Sequence, residues 1–410
     1  MIVRTDATAL DEADVLAFAR ARFSLPPSVI YLDGNSLGAL PRRTAARVAD
    51  TITREWGQRL IGSWNDAGTG SGGWIDAPAR IGAKIARLIG AAADEVIVTD
   101  SVSIDIFKLA AAALSLRPGR RTIVTEAGNF PTDVYMLEGL SRLSGCDLRI
   151  VASDDVIEAM DENVAVVVLT QTHYRTGAVR DLAATTAAAH AAGALICWDL
   201  SHSTGAIAVD LTAANADMAV GCGYKFLNGG PGAPAYVHVA RRHQGALDQP
   251  LSGWMGHAAP FAFDEAYRPA AGITRMQSGT PGVIGLAALA SGVATFDGVD
   301  MTAVAAKSAA LGDLLIALVE ERCPEMGIAC PRTERGAHVS LRHPDAFALC
   351  QALIARGVVG DFRPPDILRL GLPALYTRFV DVWDAVAVLA DVLDRETWRN
   401  PDFAVRGAVT

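Results

Sequence analysis

The sequence predicts an α/β fold, a largely parallel sheet covered by helices, joined to a smaller α+β domain. Two observations carry this. From about residue 44 to 240, short β-rich runs alternate with alanine-rich helical stretches, the pattern of βα units whose strands are buried on both faces. After about residue 285, long helical patterns flank only short strands. A chain of 410 residues also exceeds a usual single core, which favours a large domain with a smaller companion.

Taken in order, residues 1–43 form an N-terminal segment, opening on the amphipathic stretch "MIVRTDATALDEADVLAFAR" and expected to pack with the small domain or a dimer partner. The large domain is assigned to 44–284. Its strands are read in "EVIVT" (95–99), "RTIVTEAG" (121–128), "DLRIVA" (147–152), "VAVVVLTQ" (164–171), "GALICWDLSH" (193–202) and "DMAVGCGYK" (217–225). The stretch "NDAGTGSGGW" (65–74) is glycine-rich enough to be a mobile loop. The small domain is assigned to 285–410. Its helices are read in "GLAALASGVATF", "MTAVAAKSAALGDLLIALVEE" and "AFALCQALIARG", its strands in "HVSLRH" and "DILRLGL".

Composition narrows the function. The net charge of −9 is spread without long like-charge runs, which argues against nucleic acid or an anionic membrane as partner and for a small soluble substrate. Six cysteines (146, 197, 222, 323, 330, 350) form neither a C-x-x-C pair nor a Cys/His cluster at zinc spacing. They read as reduced core residues, and no metal site is expected. The N-terminus lacks a basic segment followed by an apolar core, and no run approaches 18 apolar residues, so a cytoplasmic protein is expected.

In a parallel sheet, ligands collect at the carboxyl ends of the strands. Polar residues gather there: Asp100, Ser101, Glu126, Thr170, Asp199, His202, Tyr224 and Lys225. Lys225 is the most telling. It stands in "GCGYKFLNGGPGAP" (221–234) after an apolar strand, one βα unit beyond a strand ending in "WDLSH". A loop lysine usually just reaches solvent. A lysine in a low-dielectric pocket instead forms a Schiff base with a carbonyl, the chemistry that pyridoxal phosphate enzymes use. That cofactor also needs a carboxylate at its ring nitrogen, a cradle for its phosphate and a ring over its face. Asp199 can supply the first, although a strand-end Asp also serves as a turn or cap. In "VTDSVSIDIFKLAAAAL" a strand runs into a helix whose first turn carries Ser101 and Ser103, where free N–H groups attract an anion. Phe130 in "NFPTDVY" can cover the ring or simply pack in the core.

Eight segments, "YLDGNSLGALP" (31–41), "SWND" (63–66), "NFPTD" (129–133), "WDLSHSTGAIAVDL" (198–211), "GCGYKFLNGGPGAPAYVHV" (221–239), "PLSGWMGH" (250–257), "SGTPG" (278–282) and "GDFRPPDILRLGLPALYTRF" (360–379), closely resemble kynureninase. They run in order over most of the chain. The resemblance implies a fold-type I enzyme with a seven-stranded-type sheet, pyridoxal 5'-phosphate as cofactor and a homodimer with sites at the subunit boundary. The implied reaction is hydrolysis of L-kynurenine or 3-hydroxykynurenine to anthranilate or 3-hydroxyanthranilate plus L-alanine.

Carried over residue by residue, it makes Lys225 the covalent anchor, Asp199 the partner of the ring nitrogen, Phe130 the ring cover and Asp133 a further cofactor contact. Tyr224 would bond the phosphate and move protons. Val102, through its backbone, and Ser103 would bind phosphate, with Thr170 and His202 lining the pocket. Trp254 and Thr280 would reach the phosphate across the dimer interface, Arg369 would grip the substrate carboxylate, and Trp64 with Thr280 would meet the substrate ring. Asn35 and Ser36 belong to the N-terminal signature.

The chain departs from the family's pattern at three places. Asp105 stands where many members have Asn and is expected to face away from the phosphate, the 65–74 loop is longer and richer in Gly, and His173 occupies a variable position. The competing readings are a cysteine desulfurase or aminotransferase of the same fold, a binding protein that has lost turnover, and a kynureninase-like enzyme for a substituted kynurenine.

Overall fold

The computed structural model describes residues 2–68, 70 and 72–406, so Thr69 and Ser71 of the loop read as mobile lie outside the described residues. The first elements are α1 (Arg4–Glu12), β1 (Ile30–Tyr31), α2 (Thr44–Asp50) and α3 (Ala77–Leu88). Then β and α alternate: β2 (Val96–Thr99), α4 (Val102–Leu116), β3 (Thr122–Glu126), α5 (Pro131–Ser144), β4 (Asp147–Val151), β5 (Val164–Thr170), α6 (Leu182–Ala191), β6 (Leu195–Asp199), β7 (Met218–Gly221) and β8 (Ala235–Val239). There follow α7 (Arg241–Gln244), α8 (Val283–Val293), α9 (Met301–Arg322), β9 (Gly327–Ile328), β10 (His338–Arg342), α10 (Ala346–Ala355), β11 (Val358–Val359), β12 (Asp361–Arg363), β13 (Ile367–Gly371) and α11 (Phe379–Asp394).

The predicted α/β architecture holds. One seven-stranded sheet has the order β2-β8-β7-β6-β5-β3-β4. Its neighbours pair in parallel except around β8, which runs antiparallel to both β2 and β7. That reversed strand lies in "AYVHV", which the strand pattern of the sequence leaves unmarked. It follows a glycine- and proline-rich turn and returns beside its predecessor, so no helix announces it.

The sequence makes these elements in familiar ways. β5, "VAVVVLT", is buried along its whole length because both faces are covered, and β-branched side chains suit that setting. Helix α5 begins at Pro131, where the missing N–H costs nothing, and ends at Gly145 in the left-handed conformation (φ 65°). In α6 the Asp181 side chain accepts from Ala184 N at 2.9 Å and caps the first turn.

Strand alternation divides the large core in two. Val124, Val167, Ile196 and Trp198 face one layer, while Ile123, Val166, Val168, Leu195 and Cys197 face another that includes Ile106, Leu109 and Leu137 of α4 and α5. Asp199, two residues beyond Cys197, therefore lies on the α4/α5 side. Helix α8 packs on α2 and α3, and its Leu286, Leu289 and Val293 belong to the first layer.

A third core lies around the four-stranded sheet β12-β13-β10-β9, whose strand pairs are antiparallel. Helix α9 is long and apolar enough to cross a membrane, but Leu311, Leu315, Leu318 and Val319 are buried in this core. The N-terminal segment is stitched to it: β1 pairs in parallel with β11, α1 packs on α11, and buried Lys307 meets Asp14 at 2.7 Å. All six cysteines are free and buried.

Candidate active site

The carboxyl ends of β2, β5, β6 and β7, with the N-termini of α4 and α5, enclose a cavity of about 180 Å³. It is lined by Ser101, Val102, Ser103, Phe130, Thr132, Asp133, Thr170, Tyr174, Asp199, Ser201, His202, Cys222, Tyr224, Lys225, Ala233 and Ala235. Of the cofactor and substrate residues carried over from the family, nine converge here: Val102, Ser103, Phe130, Asp133, Thr170, Asp199, His202, Tyr224 and Lys225. Ser101 joins them, while Trp64, Trp254, Thr280 and Arg369 do not line this cavity.

Lys225 is 8% exposed, its Nζ 5.6 Å from the Phe130 ring centroid and 5.7 Å from that of Tyr224. Backbone contacts fix this turn. Asn228, at φ 57°, donates its N–H to Lys225 O at 2.9 Å, and Gly38 donates its N–H to Tyr224 O at 2.8 Å. Only glycine fits at position 38, because a Cβ would stand 2.3 Å from Lys225 O. The N-terminal signature is therefore built against the lysine turn.

Asp199 sits beside Thr170 in the β5/β6 register, and its Oδ1 accepts from Ser201 N at 2.8 Å. Burial raises its pKa, while the Ser201 donor and Lys225 pull the other way. Asp133 faces it from the first turn of α5, fully buried, with no hydrogen-bond partner on either carboxyl oxygen. Burial, then the Asp199 charge, pushes Asp133 well above the usual carboxylate range. Of the two facing acids, Asp133 is thus driven the more strongly toward its neutral form. His202 is pushed well down by burial, with Lys225 and Arg369 adding to it, and stays a neutral imidazole whose buried Nε2 has no partner.

At the opposite end, Ser101 precedes α4 without its side chain capping the helix, leaving first-turn N–H groups available to an anion. Phe130 is set by Asn129, whose Oδ1 accepts from Phe130 N (2.7 Å) and from Thr170 Oγ1 (2.5 Å). Phe130 also meets Tyr174 edge to face at 5.3 Å. Asp105 is buried in α4 beside Lys108 and Asp100 and does not line the cavity. His173 lies against Gly128 O at 2.9 Å.

Arg369, 1% exposed, is held behind Tyr174, whose carbonyl accepts from Nη1. Its Nε donates to Asp361 Oδ1 at 2.7 Å, and its Nη2 donates to Asp361 Oδ2 and, at 3.2 Å, to Ser36 Oγ. Ser36 Oγ in turn donates to Asp361 Oδ2 at 2.5 Å, and Arg363 reaches the same oxygen at 2.8 Å. Of the guanidinium's N–H groups only one, on Nη1, lacks a protein partner. A two-pronged grip on a ligand carboxylate thus requires Ser36 or the Tyr174 carbonyl to yield. Asp361 was not read from the sequence, although its register opposite Arg369 in the β12/β13 pair is a local signal. Ser201, Tyr174 and Asn129 were missed as well.

The turn carrying Trp254 packs against the segment that leads to Thr280. Met255 N donates to Ser278 O at 3.2 Å, and a Cβ on Gly253 would stand 2.1 Å from that same oxygen. Thr280 borders a second cavity of about 380 Å³ with Asp100 and Gln277. Trp64 packs edge to face on Trp74, 5.7 Å between centroids.

A family model described as the kynureninase C-terminal domain matches residues 304–389. Kynureninases of Burkholderia mallei and Burkholderia pseudomallei are each 50% identical over 421 aligned positions covering 100% of both chains. One from Pseudomonas fluorescens is 49% identical over the same extent. Among solved structures, a cysteine desulfurase of Escherichia coli superposes with a TM-score of 0.76 at 18% identity, covering 93% of this chain and 98% of its own. The cystine C–S lyase C-DES, in a variant with glycine linked to its pyridoxal phosphate cofactor, gives 0.77 at 15% identity, covering 91% and 99%. At these identities the structural likeness is one of fold.

Proposed function

The chain belongs to the kynureninase family, and from that premise we propose the division of labour among its residues. The reaction is hydrolysis of L-kynurenine between the β- and γ-carbons, giving anthranilate and L-alanine, with 3-hydroxykynurenine giving the 3-hydroxy product; pyridoxal 5'-phosphate is the cofactor. Water's oxygen goes to the γ-carbon, which becomes the aromatic carboxylate, and a proton goes to the β-carbon, which becomes the methyl group of alanine. The observation that carries this reading is that Lys225 and Asp199, from successive strands of one sheet, close on the same buried cavity.

The residues present fit the cofactor. A buried carboxylate aims into the cavity, an amine stands beside an aromatic ring, and uncapped helical N–H groups lie at the far end. When bound, the group supplies an electron-accepting ring that loosens bonds at the substrate's α-carbon. The rest is the chain's work. Lys225 would hold the cofactor covalently and, as a free amine, would take the α-proton. Asp199 keeps a proton on the ring nitrogen, with Ser201 N–H holding the carboxylate in place. Val102 N–H, Ser103 and Tyr224 bind the phosphate, Tyr224 also returning a proton to the β-carbon. Phe130 covers the ring face, and Thr170, Asp133 and His202 complete the wall as uncharged groups.

Arg369 takes the substrate carboxylate, and Trp64 and Thr280 bound its ring. We assign Trp254 and Thr280 to the partner's site in a homodimer. The exposed apolar side chains around them, Trp254, Phe261 and Phe263, support that assignment. The enzyme is taken to be cytoplasmic, with a large domain at 44–284 and a small one at 285–410.

In the test, purified protein with cofactor is given L-kynurenine, 3-hydroxykynurenine or L-cysteine. Anthranilate fluorescence with equimolar alanine is expected from the first. Alanine from cysteine with no aromatic product would replace this reading by a desulfurase. Such an enzyme needs a mobile thiol, and every cysteine here is buried.

The Arg369 cluster adds a pH dependence. Burial and the neighbouring Asp361 push Asp33 up to about 7, while Arg369 and Arg363 hold Asp361 below its usual range against the effect of burial. Tyr31, Tyr376 and Cys350 also pack near Asp33, all three shifted up and uncharged in this range. Below pH 7 the two guanidiniums face one carboxylate, so the cluster is cationic; above it Asp33 ionises and cancels that charge. KM for kynurenine is therefore expected to rise several-fold from pH 6 to 8, and Asp33→Asn is expected to flatten that rise in a KM–pH profile.

A further inference from the structure

Lys108 is a buried cation that the chemistry above leaves without a task. It lies on α4, beyond the turn that carries Ser101 and Ser103, with none of its surface exposed. Its Nζ donates to Asp100 Oδ2 and, at 2.7 Å, to Met276 O. Asp105, on the same helix, is as deeply buried, and both its carboxyl oxygens lack partners. Burial pushes Asp105 well above the usual carboxylate range, and it is Asp100 that pairs with the Lys108 ammonium. An ammonium in such a place is costly where an apolar side chain of the same length would pack as well. The charge needs a reason.

Both of its partners lead to the segments assigned to the cofactor phosphate. Asp100 immediately precedes the Ser101 start of α4 and has φ 35°, a left-handed conformation that a residue with a Cβ rarely adopts. Its Oδ2 also accepts from Thr99 Oγ1 at 3.0 Å, so the strained residue is clamped by its own side chain. Met276 opens the segment running to Thr280, which lies against the Gly253–Gly256 turn and Trp254 through Met255 N to Ser278 O and Ser278 Oγ to Leu251 O (2.8 Å). One ammonium thus joins the residue that aims the first turn of α4 to the strap that carries Trp254 and Thr280.

We infer that Lys108 is a positioning residue for the cofactor's phosphate. Its ion pair with Asp100 holds the first turn of α4 in phosphate-binding geometry, and its bond to Met276 fixes the Trp254/Thr280 strap. The inference rests on the proposed use of those two segments and adds the group that sets both.

The test compares two ligands of the full-length apoprotein, pyridoxal 5'-phosphate and pyridoxal, which lacks the phosphate, by titration of the visible absorbance band. In Lys108→Met the dissociation constant of the phosphorylated ligand is expected to rise about tenfold or more. That of pyridoxal should stay unchanged, as should the band position at saturation. Equal loss of both ligands would mean a general structural role and overturn the inference, as would unchanged affinity for the phosphorylated one. If Lys108→Met does not fold, Asp100→Asn breaks the same ion pair while keeping a residue that tolerates the left-handed backbone. It should show the same selective loss to a smaller degree, and equal or no loss would again overturn the inference. Wild-type protein that fails to bind either ligand would sink the functional reading itself, whereas wild-type preference for the phosphorylated ligand that survives in both variants sinks only the role of Lys108.

Discussion

Asp199→Ala should release cofactor on dialysis and lower kcat by at least about a thousandfold. The expectation follows from where the charge sits. Asp199 is 4% exposed at the end of β6, and its Oδ1 is fixed by Ser201 N. Asp133, which faces it, is pushed well above the usual carboxylate range by burial and by Asp199 itself. In the proposed arrangement Asp199 is therefore the acid that presents a negative charge to the ring nitrogen. Without it that nitrogen loses its proton and the ring no longer draws electrons from the substrate. Asp133 is a poor substitute, because burial is the largest influence on its carboxyl and disfavours the charged form. Asp199→Asn keeps the shape and should be nearly as slow, separating charge from packing. Stopped-flow turnover and the cofactor content after dialysis are the measurements, and an Asp199→Ala rate within tenfold of wild type would assign the ring nitrogen elsewhere.

How much of this was legible in the sequence follows from how local each signal is. The parallel strands announced themselves through runs such as "VAVVVLT", whose burial on both faces leaves no polar alternation. Asp199, Thr170, Tyr224 and Lys225 could be placed because a strand end is a position in sequence as well as in space. β8 could not, since its antiparallel return depends on which neighbours are free. The Arg369 cluster was half legible. The arginine stood in a strand pattern, but its saturation by Asp361, Ser36 and the Tyr174 carbonyl joins segments far apart in the chain. Trp254 and Thr280 entered only through the family resemblance, because nothing in their own segments points to a phosphate. Lys108 had no signal: an isolated lysine on an alanine-rich helix reads as a solvent-facing residue, and only the tertiary position of Met276 shows otherwise.

The N-terminal signature shows the same dependence on context at closer range. Gly38 is required because the chain passes against the carbonyl of Lys225, and Asn35 is buried where a Cβ on Gly371 would stand 1.9 Å from its Oδ1. Ser36, between them, bonds Asp361 and Arg369. Three successive contacts thus connect the lysine turn of the large sheet to the arginine strand of the small one. The spacing between the two proposed substrate-handling groups is set by packing of "DGNSLG" rather than by either sheet alone. This explains why a motif with no catalytic side chain of its own lies beside the site.

Lys225→Ala is the second large effect, and it should differ in kind from the loss of Asp199. The visible absorbance of the lysine-bound cofactor is expected to disappear and kcat to fall by at least about ten-thousandfold, since in the proposed roles one amine both anchors the cofactor and takes the α-proton. Yet Asp199, the α4 first turn and Phe130 remain, so the cofactor should still bind, reversibly and with an ordinary free-aldehyde spectrum. Stability should fall modestly. Removing the buried side chain from beside Phe130 and Tyr224 leaves a small cavity and takes away the amine that favours the ionised form of Asp199. A melting temperature slightly below wild type is expected in the cofactor-free protein. Partial recovery of rate with a small exogenous amine would place the missing function in proton transfer. If Lys225→Ala kept its visible band and turned over kynurenine, another lysine would have to be the anchor. Among the described residues the cavity is lined by no other lysine to take that part.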